Sequence, residues 1–247
     1  MPHGKRYRKE LGKVQREHAY APSEAIALIK ETASAGFDET VELHVLLGVN
    51  VRHAEEQLRG TLALPHGLGK DVTVAVFAQG QQARDAEAAG ADFVGGDDLA
   101  KKVEEEGWTD FDVAIATPQM MGAVGKLGRV LGPQGKMPNP KVGTVTDDVE
   151  KAVTESKAGK VEYRTDRQAI VHMSIGKASL EPGGLLENFN AVMEEIVRAK
   201  PSAAKGRYIV SCTLTTTMGP GIRVDASKVG VRDEDAEART AEEPVTA

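Results

Sequence analysis

The chain has 247 residues, of which 40% are hydrophobic and 28% are charged, and its formal net charge is −6. This composition is ordinary for a globular protein of one or two domains, and it excludes wholesale disorder. The single cysteine, Cys212, excludes an intramolecular disulfide and a cysteine zinc cluster, and no apolar run is as long as a membrane span, so we expect a cytoplasmic protein with no membrane partner.

The negative charge is not spread evenly along the chain. Residues 1–66 have a net charge of zero, residues 67–159 of −5, residues 160–228 of +3 and residues 229–247 of −4. If the first and third segments fold together, they form the part of the molecule that repels phosphate least. The basic residues among the first 18 have two interpretations, an arm that binds phosphate groups or a solvated chain terminus.

The first segment predicts one helix followed by one strand. The helix has Ser23 as its N-cap and ends before Gly36. The strand covers residues 41–49, where apolar residues occupy every second position. The other face of this strand starts with Thr40, Glu42 and His44, and it is either an exposed polar face or a surface that forms hydrogen bonds with RNA.

Strand and helix patterns alternate through the second segment, which follows a Gly- and Pro-containing crossing point at residues 60–70. Strands are predicted at residues 72–77, 92–94 and 111–116, and helices at residues 81–89, 99–107, 119–130 and 147–158. Such alternation predicts a parallel sheet with helices on its faces.

The glycine-rich stretch at residues 122–144 does not have the spacing of a nucleotide site. A P-loop built around Gly135 would need glycine where the chain has Val130, and serine or threonine where it has Met137. The first glycines are three residues apart, which differs from the dinucleotide fingerprint and favours close helix packing. We therefore interpret this stretch as a structural turn with a basic rim.

The third segment predicts a hairpin, a helix and a long strand. Residues 161–164 and 169–173 flank a four-residue turn, which is typical of a β-hairpin. Residues 185–199 have the pattern of an amphipathic helix, which ends before a proline. Residues 208–217 alternate between apolar and hydroxyl side chains, which predicts a strand.

The two faces of this last strand differ in chemistry. Its apolar face is predicted to consist of Val210, Cys212 and Leu214, and its hydroxyl ribbon of Ser211, Thr213, Thr215 and Thr217. Met218 then leads into a Gly-Pro-Gly turn, where low side-chain bulk lets the backbone of a partner approach closely. The stretch is either a half-exposed strand with a loop, or a binding edge for a polar ligand recognised by shape, such as folded RNA.

Together these patterns predict an α+β and α/β fold with two domains. Residues 1–66 and 160–228 each have too few strands to be stable alone, so we expect them to form one discontinuous split α+β sandwich of the ferredoxin-like type. Residues 67–159 are predicted to be an inserted Rossmann-like α/β domain with a hinge at its two connections. Residues 229–247 are expected to be a disordered acidic tail.

Several collinear motifs resemble those of one known family. They are the strand at residues 41–49, the glycine-rich segment 125–141, the turn near Asp166, Gly176–Ser179 and Thr215–Pro220. On these motifs the chain is similar, over roughly residues 1–228, to the bacterial L-one family of large-subunit ribosomal proteins, the proteins of the mobile rRNA stalk.

The resemblance implies a structural protein of the large ribosomal subunit that binds the stalk helices of 23S rRNA. It also implies a role in the release of tRNA from the exit site, and repression of translation of the chain's own operon through binding to its mRNA. We expect no catalytic residues, no metal and no cofactor, a cytoplasmic location on the ribosome, and a monomer when the protein is off the ribosome.

The RNA contacts of the family can be carried over to matching positions of this sequence. These positions are Phe37, Thr40, Glu42, Arg164, Asp166, Ser211, Thr217, Met218 and Gly219. Met218 and Gly219 offer an apolar cap and a bare backbone to a ribose–base edge. Phe37 is either a stacking platform for a base or a core residue at the junction between helix and strand.

Two other functions are weighed against this one. A small-molecule enzyme would use the inserted α/β domain, but the sequence has no recognisable Ser/His/Asp arrangement, metal-spaced histidine pair or intact phosphate loop. A free translational repressor would use the same RNA surface, so the sequence does not distinguish it from a ribosomal protein. Co-sedimentation with large ribosomal subunits would distinguish the two.

Overall fold

The computed structural model describes residues 4–204 and 206–225. The predicted tail at residues 229–247 lies outside this part of the chain, as do the first three residues of the predicted basic arm. The contacts between residues divide the chain into two compact units. Unit 1 comprises the residues up to Leu58, Leu64–Gly69 and the residues from Tyr163 onward, and unit 2 comprises Arg59–Ala63 and Lys70–Glu162.

The helices and strands follow one another closely along the chain. The α-helices are α1 (Lys5–Leu11), α2 (Pro22–Thr32), α3 (Gln81–Ala88), α4 (Asp97–Glu106), α5 (Met121–Val124), α6 (Gly128–Leu131), α7 (Val149–Lys157) and α8 (Pro182–Arg198). The strands are β1 (Thr40–Leu47), β2 (Arg59–Ala63), β3 (Val74–Phe77), β4 (Phe93–Gly95), β5 (Val113–Ala116), β6 (Lys160–Arg164), β7 (Ile170–Lys177), β8 (Ile209–Thr216) and β9 (Ile222–Val224).

Unit 1 is built on an antiparallel sheet with the strand order β7-β1-β8-β9. Helices α2 and α8 contact each other and the strands of this sheet. In β1 buried and half-buried residues alternate strictly, as the sequence predicted. The buried set, which includes Val41, Leu43 and Val45, forms a core with apolar residues of the two helices such as Ile29 and Phe189.

The start of α2 differs from the prediction, because Ser23 is not its cap. The helix begins at Pro22, the N-cap residue is Ala21, and Glu24 Oε2 accepts a hydrogen bond from the Ala21 N–H at 3.3 Å. Proline fits the first helical position because its backbone angle is already helical and its missing N–H would have no partner there. The glutamate three residues after the N-cap, rather than a serine, therefore caps this helix end.

The apolar face of β8 also differs from the prediction at one position. Cys212 and Leu214 are buried, but Val210 is 41% exposed. The pairing of β8 with β1 shifts by one residue between Ser211 and Ile209. This bulge leaves Val210 without a partner on β1 and turns its side chain out of the core.

Unit 2 contains a parallel sheet with the strand order β4-β3-β5. Its core has two layers, since Ala75 and Phe77 of β3 belong to one buried cluster and Val74 and Val76 to another. Helices α4 and α5 contribute to the first cluster, and α3 and α7 to the second. A parallel sheet covered on both faces is the arrangement predicted from the alternating pattern.

The prediction of a single helix at residues 119–130 is wrong. The chain instead forms a series of short helical segments, namely the 3₁₀ helix Pro118–Met120, α5, the 3₁₀ helix Gly125–Leu127 and α6. Glycines recur at every third position from Gly122 to Gly128, and each lowers the helix propensity of the chain. The buried side chains of Val124, Leu127 and Leu131 hold these segments against the sheet.

The hairpin predicted from residues 161–173 is also wrong. Strand β6 pairs with β2, and β7 pairs with β1, while an isolated bridge between Thr165 and Val171 joins the two segments. The sequence did not indicate β2, because its five residues are short and lie within a stretch interpreted as a crossing point. The strand that pairs with β6 is therefore about one hundred residues earlier in the chain.

The predicted class, a mixed α+β and α/β fold with several sheets, is confirmed. The proposed domain boundaries at residues 66–67 and 159–160 lie close to the divisions between the units near Gly69 and Glu162. One segment is grouped differently, because Arg59–Ala63 belongs to unit 2. Across the described residues, every helix is too short or too polar to cross a membrane.

Candidate nucleic-acid interface

One face of the unit 1 sheet carries polar side chains, and we call it the open face. On β1 it consists of the half-buried residues Thr40, Glu42, His44 and Leu46. The strand register places Glu42 between Ser174 and Thr215, His44 between His172 and Thr213, and Leu46 between Ile170 and Ser211. Residues directly opposite each other in antiparallel strands share a face, so these side chains form one continuous surface.

At one end of the open face, which we call the Thr217 end, a threonine side chain joins β1 to the end of β8. The Thr40 N–H donates a hydrogen bond to Thr217 Oγ1 at 3.0 Å, and the Thr217 N–H donates to the Thr40 carbonyl at 3.1 Å. Lys177 Nζ donates to the Thr40 hydroxyl at 2.8 Å. These bonds fix the position of the exposed Thr217 on the surface.

A buried carboxylate lies beneath the Thr217 end. Glu39 is 2% exposed, and its two oxygens accept hydrogen bonds from the Met218 N–H at 2.9 Å and from the Ala35 N–H at 2.8 Å. Burial acts to raise the pKa of Glu39, but the hydrogen bonds to its charged form outweigh burial and hold the pKa below its ordinary value. Glu39 is therefore an anionic anchor for the turn that follows β8.

The two apolar side chains at this end are exposed. Phe37 is 56% exposed and Met218 is 48% exposed. The interpretation of Phe37 as a core residue is therefore wrong, and its ring is accessible for stacking. Gly219 is closely packed, since a Cβ atom there would overlap the hydroxyl of the buried Thr216. The bare backbone of Gly219 is thus a requirement of local packing as well as an access route for a partner.

At the opposite end of the open face, which we call the Asp166 end, a carboxylate organises the turn before β7. Asp166 Oδ1 accepts hydrogen bonds from the N–H groups of Gln168 and Ile170, each at 2.8 Å. Burial acts to raise the pKa of Asp166, but these hydrogen bonds and the contact with His172 outweigh it and lower the pKa. Asp166 is therefore a charged structural residue of the turn, and its Oδ2 faces the sheet.

Three arginines lie beside this turn around an open cleft of about 720 Å³. Arg164 and Arg167 flank Asp166, and Arg52 comes from the loop that follows β1. All three arginines are exposed. In the described parts of the chain, no carboxylate lies within ion-pair distance of these guanidinium groups. Unpaired guanidinium groups around one cleft attract phosphate oxygens, for which their planar donor geometry is suited.

The structure brings the nine predicted RNA-contact residues together in two groups. Phe37, Thr40, Glu42, Thr217, Met218 and Gly219 lie at the Thr217 end, and Arg164, Asp166 and Ser211 lie at the Asp166 end. Thr40 and Leu46 mark the two ends on β1, so about 20 Å of strand separates them. Between the two groups lies a contact between His44 and His172, with 2.8 Å between their Nδ1 atoms.

The sequence did not indicate four residues that shape this surface. They are Asp38, which binds the backbone and hydroxyl of Ser179, together with Glu39, Arg52 and Lys177. For one of them, Glu39, the sequence contained a pattern that could have predicted its role. Glu39 has the same strand parity as the buried Val41, and a carboxylate on a buried face needs hydrogen-bond partners. Asp38 and Arg52 lie in loops, and Lys177 ends β7, so their contacts form only when distant parts of the chain meet in the folded unit.

The described residues contain no group of three or more His, Cys, Asp or Glu side chains placed to hold a metal ion. The open face instead offers hydroxyl groups, carboxylates, imidazoles, a bare backbone turn and exposed apolar side chains. Proteins that bind folded RNA use this combination to read shape, ribose hydroxyls and unstacked bases. A discontinuous α+β unit with such a face thus defines the class of the molecule as an RNA-binding protein.

The model of the Ribosomal protein L1p/L10e family matches residues 29–220, and the chain belongs to this family. All nine predicted contact positions lie within the matched residues. Membership of the family implies a protein of the large ribosomal subunit that is associated with the ribosome and binds ribosomal RNA. Members of this family are typically not enzymes.

Proposed function

We propose that the open face binds the stalk helices of 23S rRNA. The observation that carries this proposal is that contact positions from three separate stretches of sequence lie on or beside one face of one sheet. The Thr217 end presents an exposed ring, an exposed thioether and a fixed backbone turn. This end would therefore contact ribose and base edges rather than phosphate groups.

The positions of the charged residues support contacts with phosphate groups at the Asp166 end rather than at the Thr217 end. At the Thr217 end Lys177 already binds the Thr40 hydroxyl and Glu42 lies close by, while Arg6 is near enough to the buried Glu39 for its charge to lower the pKa of that carboxylate. At the Asp166 end Arg52, Arg164 and Arg167 surround an open cleft. About three phosphate contacts would give a slope of log K against log salt of roughly −2 to −3. A slope steeper than about −5 would contradict recognition that relies mainly on shape.

Family membership supports two further parts of this proposal. We propose that the protein takes part in the release of tRNA from the exit site. We also propose that it represses translation of its own operon by binding an mRNA structure that presents the same features as the rRNA. Both activities would take place in the cytoplasm, with the monomer as the form that binds mRNA.

The first experiment is a binding measurement with a transcribed stalk fragment of 23S rRNA and an unrelated hairpin, at near-physiological salt. We expect a Kd for the stalk fragment at least a hundredfold below that for the hairpin, since specific sites usually exceed non-specific ones by about this factor or more. Equal, weak binding to both RNAs would contradict the proposal.

Two truncations test the Thr217 end directly. Thr217→Ala and Met218→Ala should each weaken binding of the stalk fragment about tenfold. Met218→Ala should leave the melting temperature nearly unchanged because its side chain is exposed, and Thr217→Ala should lower stability by no more than about 1 kcal/mol because it removes the acceptor of the Thr40 N–H at an exposed site. The matched control is Val197→Ala, which shortens an apolar side chain that is 52% exposed on α8. A large loss of melting temperature in either test variant would show a core role instead.

Two further measurements separate the ribosomal role from the regulatory one. The full-length protein should co-sediment with large ribosomal subunits, and its absence from the particle would contradict the ribosomal role. In a cell-free translation reaction, added protein should reduce expression of a reporter that carries the leader of its own operon. Thr217→Ala should relieve this repression if mRNA and rRNA share one surface.

A further inference from the structure

The centre of the open face holds a chain of four titratable side chains. Glu42 Oε2 lies 3.6 Å from His44 Nε2, the two Nδ1 atoms of His44 and His172 are 2.8 Å apart, and His172 Nε2 lies 3.4 Å from Asp166 Oδ2. The imidazole ring planes make an angle of 65°. The four residues connect the Thr217 end to the Asp166 end across β1 and β7.

The contact between the two Nδ1 atoms restricts how many protons the pair can carry. At 2.8 Å one nitrogen must donate and the other must accept. In a neutral pair, the ring that donates from Nδ1 has no proton on Nε2. The lone pair of that Nε2 then faces a carboxylate oxygen, which is an unfavourable contact. In a doubly protonated pair, two N–H groups face each other. With one added proton, His172 donates both to His44 and to Asp166, and His44 directs its Nε2–H toward Glu42.

The surroundings of the two rings differ. Burial lowers the pKa of His44, and the charge of His172 lowers it further, while Glu42 acts in the opposite direction. The side chain of His172 is 51% exposed and faces Asp166. The other neighbours on the sheet face are Ser174 on β7 and Thr213 and Thr215 on β8. The cations Lys177 and Arg223 lie at the margins, and Arg52, Arg164 and Arg167 lie beside Asp166.

The charge of the centre depends on this proton. Without it, Glu42 and Asp166 contribute two negative charges to the surface that would face RNA, and the singly protonated pair offsets one of them. A bound polyanion therefore favours the protonated pair, since an opposite charge nearby stabilises the charged form. By linkage, whatever favours the protonated pair also favours binding.

We propose that the His44–His172 pair takes up one proton when the protein binds RNA, so that binding strengthens as the pH falls from about 8 to 6. This inference rests on the proposed function, because it assigns a proton-linked element to the same surface. The fixed contact between the two rings limits the uptake to a single proton per complex.

The test is the Kd for the stalk fragment between pH 6 and pH 8 at constant ionic strength. One proton taken up per complex changes Kd by at most about tenfold per pH unit, so partial uptake predicts binding that is roughly five- to tenfold tighter at pH 6 than at pH 8. Calorimetry in two buffers with different ionisation enthalpies should give an uptake of about half a proton per complex at pH 7.

The double variant His44→Gln/His172→Gln is the decisive one. It keeps side chains that can form hydrogen bonds at both strand positions but removes both imidazoles, so the dependence of Kd on pH should become nearly flat. His66→Gln is the matched control, because His66 also faces a carboxylate, with 2.6 Å between its Nε2 and Glu187 Oε2, but it packs against α8 away from the open face. This control should retain the dependence of wild type.

The possible outcomes distinguish this inference from the proposed function. Specific binding whose Kd changes less than twofold between pH 6 and pH 8 would overturn the proton linkage and leave the RNA-binding proposal intact. A His44→Gln/His172→Gln variant that binds RNA with the pH dependence of wild type would also overturn the linkage. Absence of binding to the stalk fragment at every pH would overturn both proposals.

Discussion

The buried carboxylate of Glu39 should contribute to both stability and RNA binding. It accepts hydrogen bonds from the N–H groups of Ala35 and Met218, which belong to the segments before β1 and after β8. In Glu39→Gln the side-chain oxygen can still accept one of these bonds, but the new NH₂ group cannot accept the other. One buried N–H donor therefore loses its partner.

The size of the effect follows from this loss. A hydrogen bond to a charged group contributes about 1.5 to 3 kcal/mol to stability, so Glu39→Gln should lower the free energy of unfolding of unit 1 by roughly that amount. Glu39→Ala loses both acceptors and should lower it by about 3 to 5 kcal/mol. Both variants should also weaken binding of the stalk fragment, because the Met218 turn is no longer anchored.

The assay must report on unit 1. Trp108 lies in unit 2, so its fluorescence follows the wrong part of the chain. Hydrogen exchange of the amides of β1 and β8 under native conditions reports locally and is the better measurement. Glu24→Gln is the matched control, because Glu24 is exposed and its longer bond to the Ala21 N–H predicts a loss below about 1 kcal/mol.

The pH dependence gives a second check on Glu39. Its pKa in the folded protein is lowered, so its contribution to stability is present above the ordinary carboxyl pKa of about 4.3 and is lost as the pH falls through the lower folded-state value. The difference in stability between wild type and Glu39→Gln should be constant from pH 6 to 8 and should shrink below about pH 4. A difference below 0.5 kcal/mol at pH 7, or one that grows in acid, would refute the reasoning.

Three further changes probe the interior of unit 1. Asn188 accepts one hydrogen bond from a backbone N–H and donates two to backbone carbonyls. Asn188→Asp should therefore lower the free energy of unfolding by at least about 3 kcal/mol at pH 7, as measured by urea denaturation. An unchanged denaturation midpoint would contradict this account. A Cβ atom at Gly48 would overlap the Arg207 carbonyl, so Gly48→Ala should lower the free energy of unfolding by about 1 to 3 kcal/mol. Gly36→Ala is the control, because a Cβ atom there meets open space, and it should change the free energy of unfolding by less than about 0.5 kcal/mol. Burial raises the pKa of the Cys212 thiol to about 12, so this thiol should react with a disulfide reagent at pH 8 only after the protein unfolds. Fast labelling of the native protein would contradict this prediction, because it would show that the thiol is accessible.

Much of the fold could be predicted because short-range patterns specify it. Alternation in β1 predicted which side chains are buried, since side chains on a strand point to opposite faces in turn. Repeated strand and helix patterns predicted the parallel sheet of unit 2. Two of the predictions that are wrong, the helix at residues 119–130 and the hairpin before β7, fall where glycines interrupt the pattern or where the partner strand is distant in the chain.

The chemistry of the candidate site was only partly visible in the sequence. The hydroxyl and carboxylate side chains of β1 and β8 were predicted from alternation and from the family's motifs. The anchoring of Met218 by Glu39, the cleft between Arg52 and Arg164, and the contact between the two histidines were not. Each of them joins residues more than one hundred positions apart, and no local pattern encodes such a pair.

The sequence by itself determined most of the strands, the chemistry of the two faces of β1 and β8 and the family to which the chain belongs. Only the tertiary structure decided that the contact residues form two groups at opposite ends of one face, with a histidine pair between them. The physical reason is that alternation fixes which face a side chain occupies, whereas strand register and loop contacts fix its neighbours, and these depend on packing of the whole unit.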